Sequence, residues 1–304
     1  MAMTPADDVR RSTEEVSRRT QRLCAAVAAL VVIAAVPTFF VDGILNGTAV
    51  MNGSARGTAL TMFALALPVL GLGMVTSTRG SVRGRAVLIG SLAYLTYNAT
   101  LLVYATPFNE LFLAYVALLG LSLWSLVSAL LDPRPLLLPD SRLPARGIAA
   151  FILTVVALNA LAWLRFIVPD LGQDPPGFLD GTGLTTNPIY VQDLAVWLPA
   201  LAIVAVLLWQ RRPSGLFLAG AGLVFWLIEA IGVAADQWFG HRADPTSAVA
   251  TQGGVVVFVV LAAATLVPLV LWLRGSTHHE RKSPAMTTST SPTGYPRPTI
   301  RRKP

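Results

Sequence analysis

Apolar runs of about twenty residues, separated by short polar or Gly/Pro-rich stretches, fill the chain from the first long run to the basic tail. Runs long enough to cross about 30 Å of hydrocarbon at about 1.5 Å per residue fall near 22–41, 58–77, 86–106, 110–131, 147–168, 190–209, 215–236 and 253–273. The pattern predicts an all-α polytopic bundle of eight transmembrane helices over residues 22–273. A polar N-terminal tail (1–21) precedes it, and a basic Ser/Thr/Pro-rich tail (274–304) follows. The C-terminal tail has no apolar periodicity and is expected to be disordered.

Shifting the sequence by 131 residues sets Pro68 on Pro199, Tyr94 on Phe225 and Asn98 on Glu229, and it brings the "STRGS" turn close to "RRPSG". Four helices per repeat leave both halves in one orientation, so the shift points to a 4+4 parallel pseudo-repeat whose halves face each other across Asn98 and Glu229. Pro68 and Pro199 each lie inside an apolar run, where a proline kinks a helix and frees a carbonyl.

Composition agrees with the pattern. Of the 304 residues 54% are hydrophobic and 13% charged, and the mean hydropathy is +0.62. A soluble domain carries about 25% charged residues. The net charge of +7 is explained by placement. Five Lys or Arg lie in the N-terminal tail, three, three and two in alternate loops, and seven at the C-terminus. Only Arg56, Arg165 and Arg242 lie on the other side. Basic residues accumulate on the cytoplasmic face of membrane proteins, so both termini are expected inside a plasma membrane and no nucleic-acid partner is expected. The basic tail is expected to lie against anionic lipid. The Arg-over-Lys bias fits a GC-rich bacterial genome.

A single cysteine, Cys24, excludes an intramolecular disulfide and a Cys-based metal cluster. His278 and His279 fall in the tail and His241 in a predicted loop, an arrangement that disfavours haem between helices. HExxH, GxxxxGK[ST] and GxSxG are missing, as is an intrahelical DxxxD or DDxxD pair, so neither cofactor nor metal is expected.

Ionisable and amide groups inside the spans carry the functional signal. Tyr94, Tyr97 and Asn98 are spaced i, i+3, i+4 and share one helical face, which hydrocarbon cannot solvate. Glu229 lies inside the seventh run at a depth similar to that of Asn98, and an acid there needs a partner, a proton or water. Asp193 and Arg165 lie near the outer ends of their runs, where they could pair with each other or reach water separately. Tyr104 and Trp163 suit an interfacial belt. These groups cluster in the outer half of the bundle, and an outward-facing pocket of Tyr94, Tyr97, Asn98 and Glu229 is the expectation.

The segments "GSLAYLTYNATLLVYATPFNELFLAYVALLGLSLWSLV" (90–127) and "TNPIYVQDLAVWLPALAIVAVLLWQRRPSG" (186–215) resemble an uncharacterised family of bacterial multi-pass membrane proteins. The likeness covers most of the helical region and neither tail, and it implies no activity. Three functions stay open. The pocket could bind or transport a small amphipathic or cationic molecule, with Glu229 as counter-charge or proton carrier. It could belong to an enzyme acting on a lipid or isoprenoid, with Glu229 as general acid. It could also be structural, with Glu229 neutral and bonded to Asn98 or a tyrosine. Oligomeric state is left open.

Overall fold

The structure, a computed structural model, describes residues 5–132, 134 and 143–275. Beyond Gly275, the tail expected to be disordered lies outside the described residues. Among the described residues there is no strand, and eight helices are long and apolar enough to cross a membrane. We number them α1 (Pro5–Phe40), α2 (Ala49–Thr78), α3 (Val82–Tyr104), α4 (Phe112–Leu130), α5 (Ala145–Ile167), α6 (Pro188–Trp209), α7 (Pro213–Ala243) and α8 (Gln252–Gly275).

α3 and α7 are the most heavily buried spans and form the centre; α5 and α8 are the least. α3 and α7 meet where a Cβ on Gly90 would lie 2.5 Å from the Ala221 carbonyl oxygen, so the backbones touch with no side chain between them. α2 lies along α7 through Gly53 and Gly57. A Cβ on these two would come within 2.5 Å of the Phe239 carbonyl oxygen and 2.6 Å of Ala235. Around this centre α1 packs on α4 and α2, α5 chiefly on α6, and α8 on α7.

The 131-residue echo has a structural counterpart. α2 contains one π-helical turn, Met62–Ala66, and α6 contains another, Asp193–Trp197, with Pro68 and Pro199 two residues beyond. A π turn leaves the helix one residue wider than α-geometry and frees backbone acceptors, which is a common context for a proline. The turns that follow also match. Gly80 N donates to Ser77 O and Ser81 N to Thr76 O, while Arg211 N donates to Leu208 O and Arg212 N to Leu207 O. Each turn has its left-handed residue at the same place, Gly80 (φ 81°) and Arg211 (φ 56°). A glycine then lets each hairpin close: a side chain on Gly84 would run into Thr76, and one on Gly215 into the backbone of Leu207 and Leu208. Every one of these pairs is separated by the interval that separates Asn98 from Glu229, 131 residues.

The turns rich in arginine gather at one end of the bundle. Arg85, buried near the start of α3, lies 3.6 Å from the Asp132 carboxylate and donates to the Arg134 carbonyl at 3.0 Å. Arg134 clasps Asp132 through Nε and Nη2 at 2.6–3.0 Å and reaches the Ser77 carbonyl at 2.9 Å. Burial works against the Asp132 charge, but the hydrogen bonds and fields of Arg134 and Arg85 outweigh it and hold its carboxyl below the usual 3.8. In the second half the residue in the place of Arg85 is Leu216, whose carbonyl accepts from Trp272 Nε1 at 2.7 Å. That indole fills the space left by Gly220.

Three boundaries differ from expectation, the first being the start of α1 at Pro5 rather than near residue 22. α2 begins at Ala49 rather than near residue 58, and α7 runs to Ala243 rather than ending near residue 236. The polar, glycine-rich start of α2 and the end of α7 stabilise each other through the close approach at Gly53 and Gly57, a contact that hydropathy does not register. His241 is therefore in the last turn of α7 and not in a loop.

Candidate functional site

Ser81 caps α3 by accepting from Gly84 N at 3.1 Å, and the uninterrupted helix that follows carries Tyr94, Tyr97 and Asn98 inward. All three are buried, Tyr94 completely. Asn98 Nδ2 donates to Glu229 Oε2 at 2.8 Å and shares its other proton with the Tyr94 carbonyl at 3.2 Å. The acid in the middle of α7 thus has the amide partner expected from depth. Glu229 itself is only partly covered.

The Tyr97 ring sits 5.8 Å from both Trp197 and Phe225, which stack on each other at 5.1 Å. Its hydroxyl reaches the Asp193 carboxyl, which also accepts from Trp163 Nε1 at 2.8 Å. Asp193 opens the π turn of α6, whose wider coil carries the buried carboxyl inward. Gln192, just before it, bridges Trp197 Nε1 (3.1 Å) and the Tyr97 carbonyl (3.4 Å).

Arg165 lies apart from these groups. It is exposed, with its guanidinium 5.9 Å over the Phe166 ring, and no Arg165–Asp193 pair forms among the described residues. The reason is helical phase: Arg165 is two residues past Trp163, and positions two apart point to opposite sides of a helix. Trp163, expected in the membrane-interface belt, is the donor to Asp193. Tyr104 is exposed, as a belt residue should be.

A third acid joins the group. Asp236, read from the sequence as the end of a span, lies inside α7 and accepts from Thr58 Oγ1 at 2.9 Å. Between the two acids of α7 stands Gly232, and a Cβ there would be 3.0 Å from the Tyr94 hydroxyl. That hydroxyl has no hydrogen-bond partner. Thr61, which donates to the Gly57 carbonyl at 3.1 Å, is the hydroxyl beside it. The signal for Asp236 was present as small residues at helical spacing, Gly53 and Gly57 on α2 with Gly232 and Gly240 on α7.

Among the described residues no cationic side chain pairs with Glu229, Asp236 or Asp193, and no group of three or more His, Cys, Asp or Glu is placed to hold a metal ion. Two pockets open elsewhere at the arginine-poor end. One of about 710 Å³ lies between Val41–Asn46 and Phe108–Leu113, and one of about 400 Å³ involves Ile167, Asn187, Tyr190 and Leu194. Neither is lined by Tyr94, Tyr97, Asn98 or Glu229. No protein-family model, curated protein or solved structure matches the chain.

Proposed function

We propose that this multi-pass membrane protein binds or carries a small amphipathic or cationic molecule, with Glu229 as its counter-charge or proton carrier. Tyr97, Asn98, Asp193 and Asp236 complete the site in this reading. It places the chain in a bacterial plasma membrane with both termini cytoplasmic. The observation that carries it is three carboxyls gathered among neutral donors with no cation to balance them. An uncompensated acid within a membrane is costly, so a site that keeps three of them is built for a positive charge supplied from outside the fold. The rings of Tyr97, Trp197 and Phe225 beside them offer the apolar and π surface that an organic cation prefers.

The test is thermal stability of the purified protein against a lipophilic cation such as tetraphenylphosphonium, compared with a neutral amphiphile of similar size. Binding at one hundred times Kd should stabilise the wild type by about 2.7 kcal/mol, and Glu229→Gln should fold normally and lose that response. A purely structural role is the second reading, favoured by the Asn98–Glu229 hydrogen bond that ties α3 to α7. It predicts no cation response in either protein and a Glu229→Gln cost within about 1 kcal/mol.

A further inference from the structure

The Tyr94 hydroxyl is fully buried, has no partner, and is aimed at a bare stretch of α7. That stretch is Gly232, three residues after Glu229 and four before Asp236, so the three positions share one face of the helix. At about 1.5 Å rise per residue the hydroxyl faces a point about 4.5 Å along the axis from one acid and about 6 Å from the other. The two acids therefore flank the hydroxyl along one face of α7.

We propose that Tyr94 is the middle member of a proton relay, Glu229–Tyr94–Asp236, connecting the carboxyl in the middle of α7 to the arginine-poor end of the bundle. The proposal rests on the reading of Glu229 as a titrating site and assigns its path. A proton leaving the Glu229 carboxyl is accepted on a lone pair of the Tyr94 oxygen, directly or across one water. The original hydroxyl proton passes to the Asp236 carboxylate. Rotation about the C–O bond resets the tyrosine, no net charge stays on it, and Asp236 hands the proton on beside Thr58 and the Asp236-facing turn of α2. Gly232 is needed because any larger residue would fill the space through which the hydroxyl addresses both acids.

Among the described residues Tyr94 carries the buried hydroxyl without a hydrogen-bond partner. From α3, Tyr97 is engaged with Asp193 and Asn98 with Glu229. From α2 come Thr58, already bonded to Asp236, and Thr61, whose proton goes to the Gly57 carbonyl; on α7 itself His241 and Arg242 follow Asp236 in the last turn. Arg56 of α2 is paired with Asp42 at 2.7 Å. The α-helical part of α6 after its π turn has no ionisable residue, and α8 has none before Arg274.

The test follows the carbonyl stretch of Glu229 by time-resolved infrared spectroscopy after a pH jump, on full-length protein in lipid nanodiscs, with the band identified by its loss in Glu229→Gln. Tyr94→Phe should leave the equilibrium titration of the band in place and slow its relaxation at least tenfold. Gly232→Ala, which removes no titrating group, should slow it similarly and serves if Tyr94→Phe folds poorly. Relaxation at the wild-type rate in both variants overturns the relay and leaves the proposed function standing. A wild-type band that responds neither to pH nor to the lipophilic cation overturns both.

Discussion

The two four-helix halves share a backbone plan and divide the chemistry between them. Each has a π turn followed by a proline, a reverse turn with one left-handed residue, and a glycine that closes the hairpin. Yet the first half contributes Thr58 and Asn98 as neutral donors, and the second contributes their acceptors, Asp236 and Glu229. Tyr97 of the first half likewise reaches Asp193 of the second. A repeated backbone brings equivalent positions face to face at its centre, and equal residues there would conflict. Two carboxylates about 4 Å apart repel by about 4 kcal/mol at an effective dielectric of about 20. An amide on one side and an acid on the other turns that conflict into a hydrogen bond. The arginine-rich end diverges in the opposite sense, with an ion cluster in the first half where the second uses Leu216 and Trp272.

The largest expected effect tests the shared backbone. Leucine at Gly215 should cost at least about 3 kcal/mol and abolish folded yield, because the obstacle is the Leu207–Leu208 backbone. Leucine at Gly84 should do nearly as much. A well-folded Gly215→Leu protein would break the equivalence of the two hairpins.

Next is the ion cluster that only the first half has. Asp132→Asn leaves Arg85 and Arg134 without their carboxylate and should destabilise by about 2–3 kcal/mol in chemical unfolding from detergent. Because the Asp132 carboxyl is held low, its stabilisation is complete above the ordinary value of 3.8 and is lost as the pH falls below it. The wild type should therefore lose its advantage over Asp132→Asn on acidification through that range, and a difference that stays constant with pH would argue against the cluster.

The central pair offers an exchange. Asn98→Glu alone sets two acids together, and Glu229→Asn alone shortens the acceptor; each should cost about 1–3 kcal/mol. The double exchange should return to within about 1 kcal/mol of wild type, as a double-mutant cycle would show. Additive losses would mean that the two positions are not interchangeable across the axis.

The smallest effect concerns the turns. Gly80→Ala should cost about 1 kcal/mol because alanine resists the left-handed conformation, whereas Arg211→Gly, which relieves that conformation but gives up the Nη2 bond to the Leu143 carbonyl, should stay within about 1 kcal/mol of wild type. Melting temperatures that move in the reverse order would show that the two turns carry different strain.

The spans were legible because hydrocarbon imposes a length and an apolar composition, and the Asn98–Glu229 pair was legible because both depth and the 131-residue shift selected it. The first turns of α2 were not, since Asn52, Gly53, Ser54, Arg56 and Gly57 interrupt the apolar run that hydropathy follows. Asp236 was missed for the same reason: it looked like the end of a span, and only the fit of α2 against α7 places it inside. Arg165 and Asp193 stand apart, one of the two arrangements that charge and depth left open, because helical phase turns Arg165 outward. Trp163, Gln192 and Tyr97 form a donor network around Asp193 that depends on the π turn, and a π turn has no reliable sequence signature beyond the nearby Pro199.

The spans α2, of 30 residues, and α7, of 31, have a further consequence. Each is about 45 Å long, some 15 Å more than a typical hydrocarbon core. The surplus is locked together by backbone contact at Gly53 and Gly57 and has small or polar residues along its seam. Bilayers differ in thickness by several ångströms, and most helices answer by tilting or by deforming the lipid around them. Here the water boundary can instead slide along a preformed two-helix pillar, so a thinner or thicker membrane alters how wet Asp236 is before it alters how the helices pack.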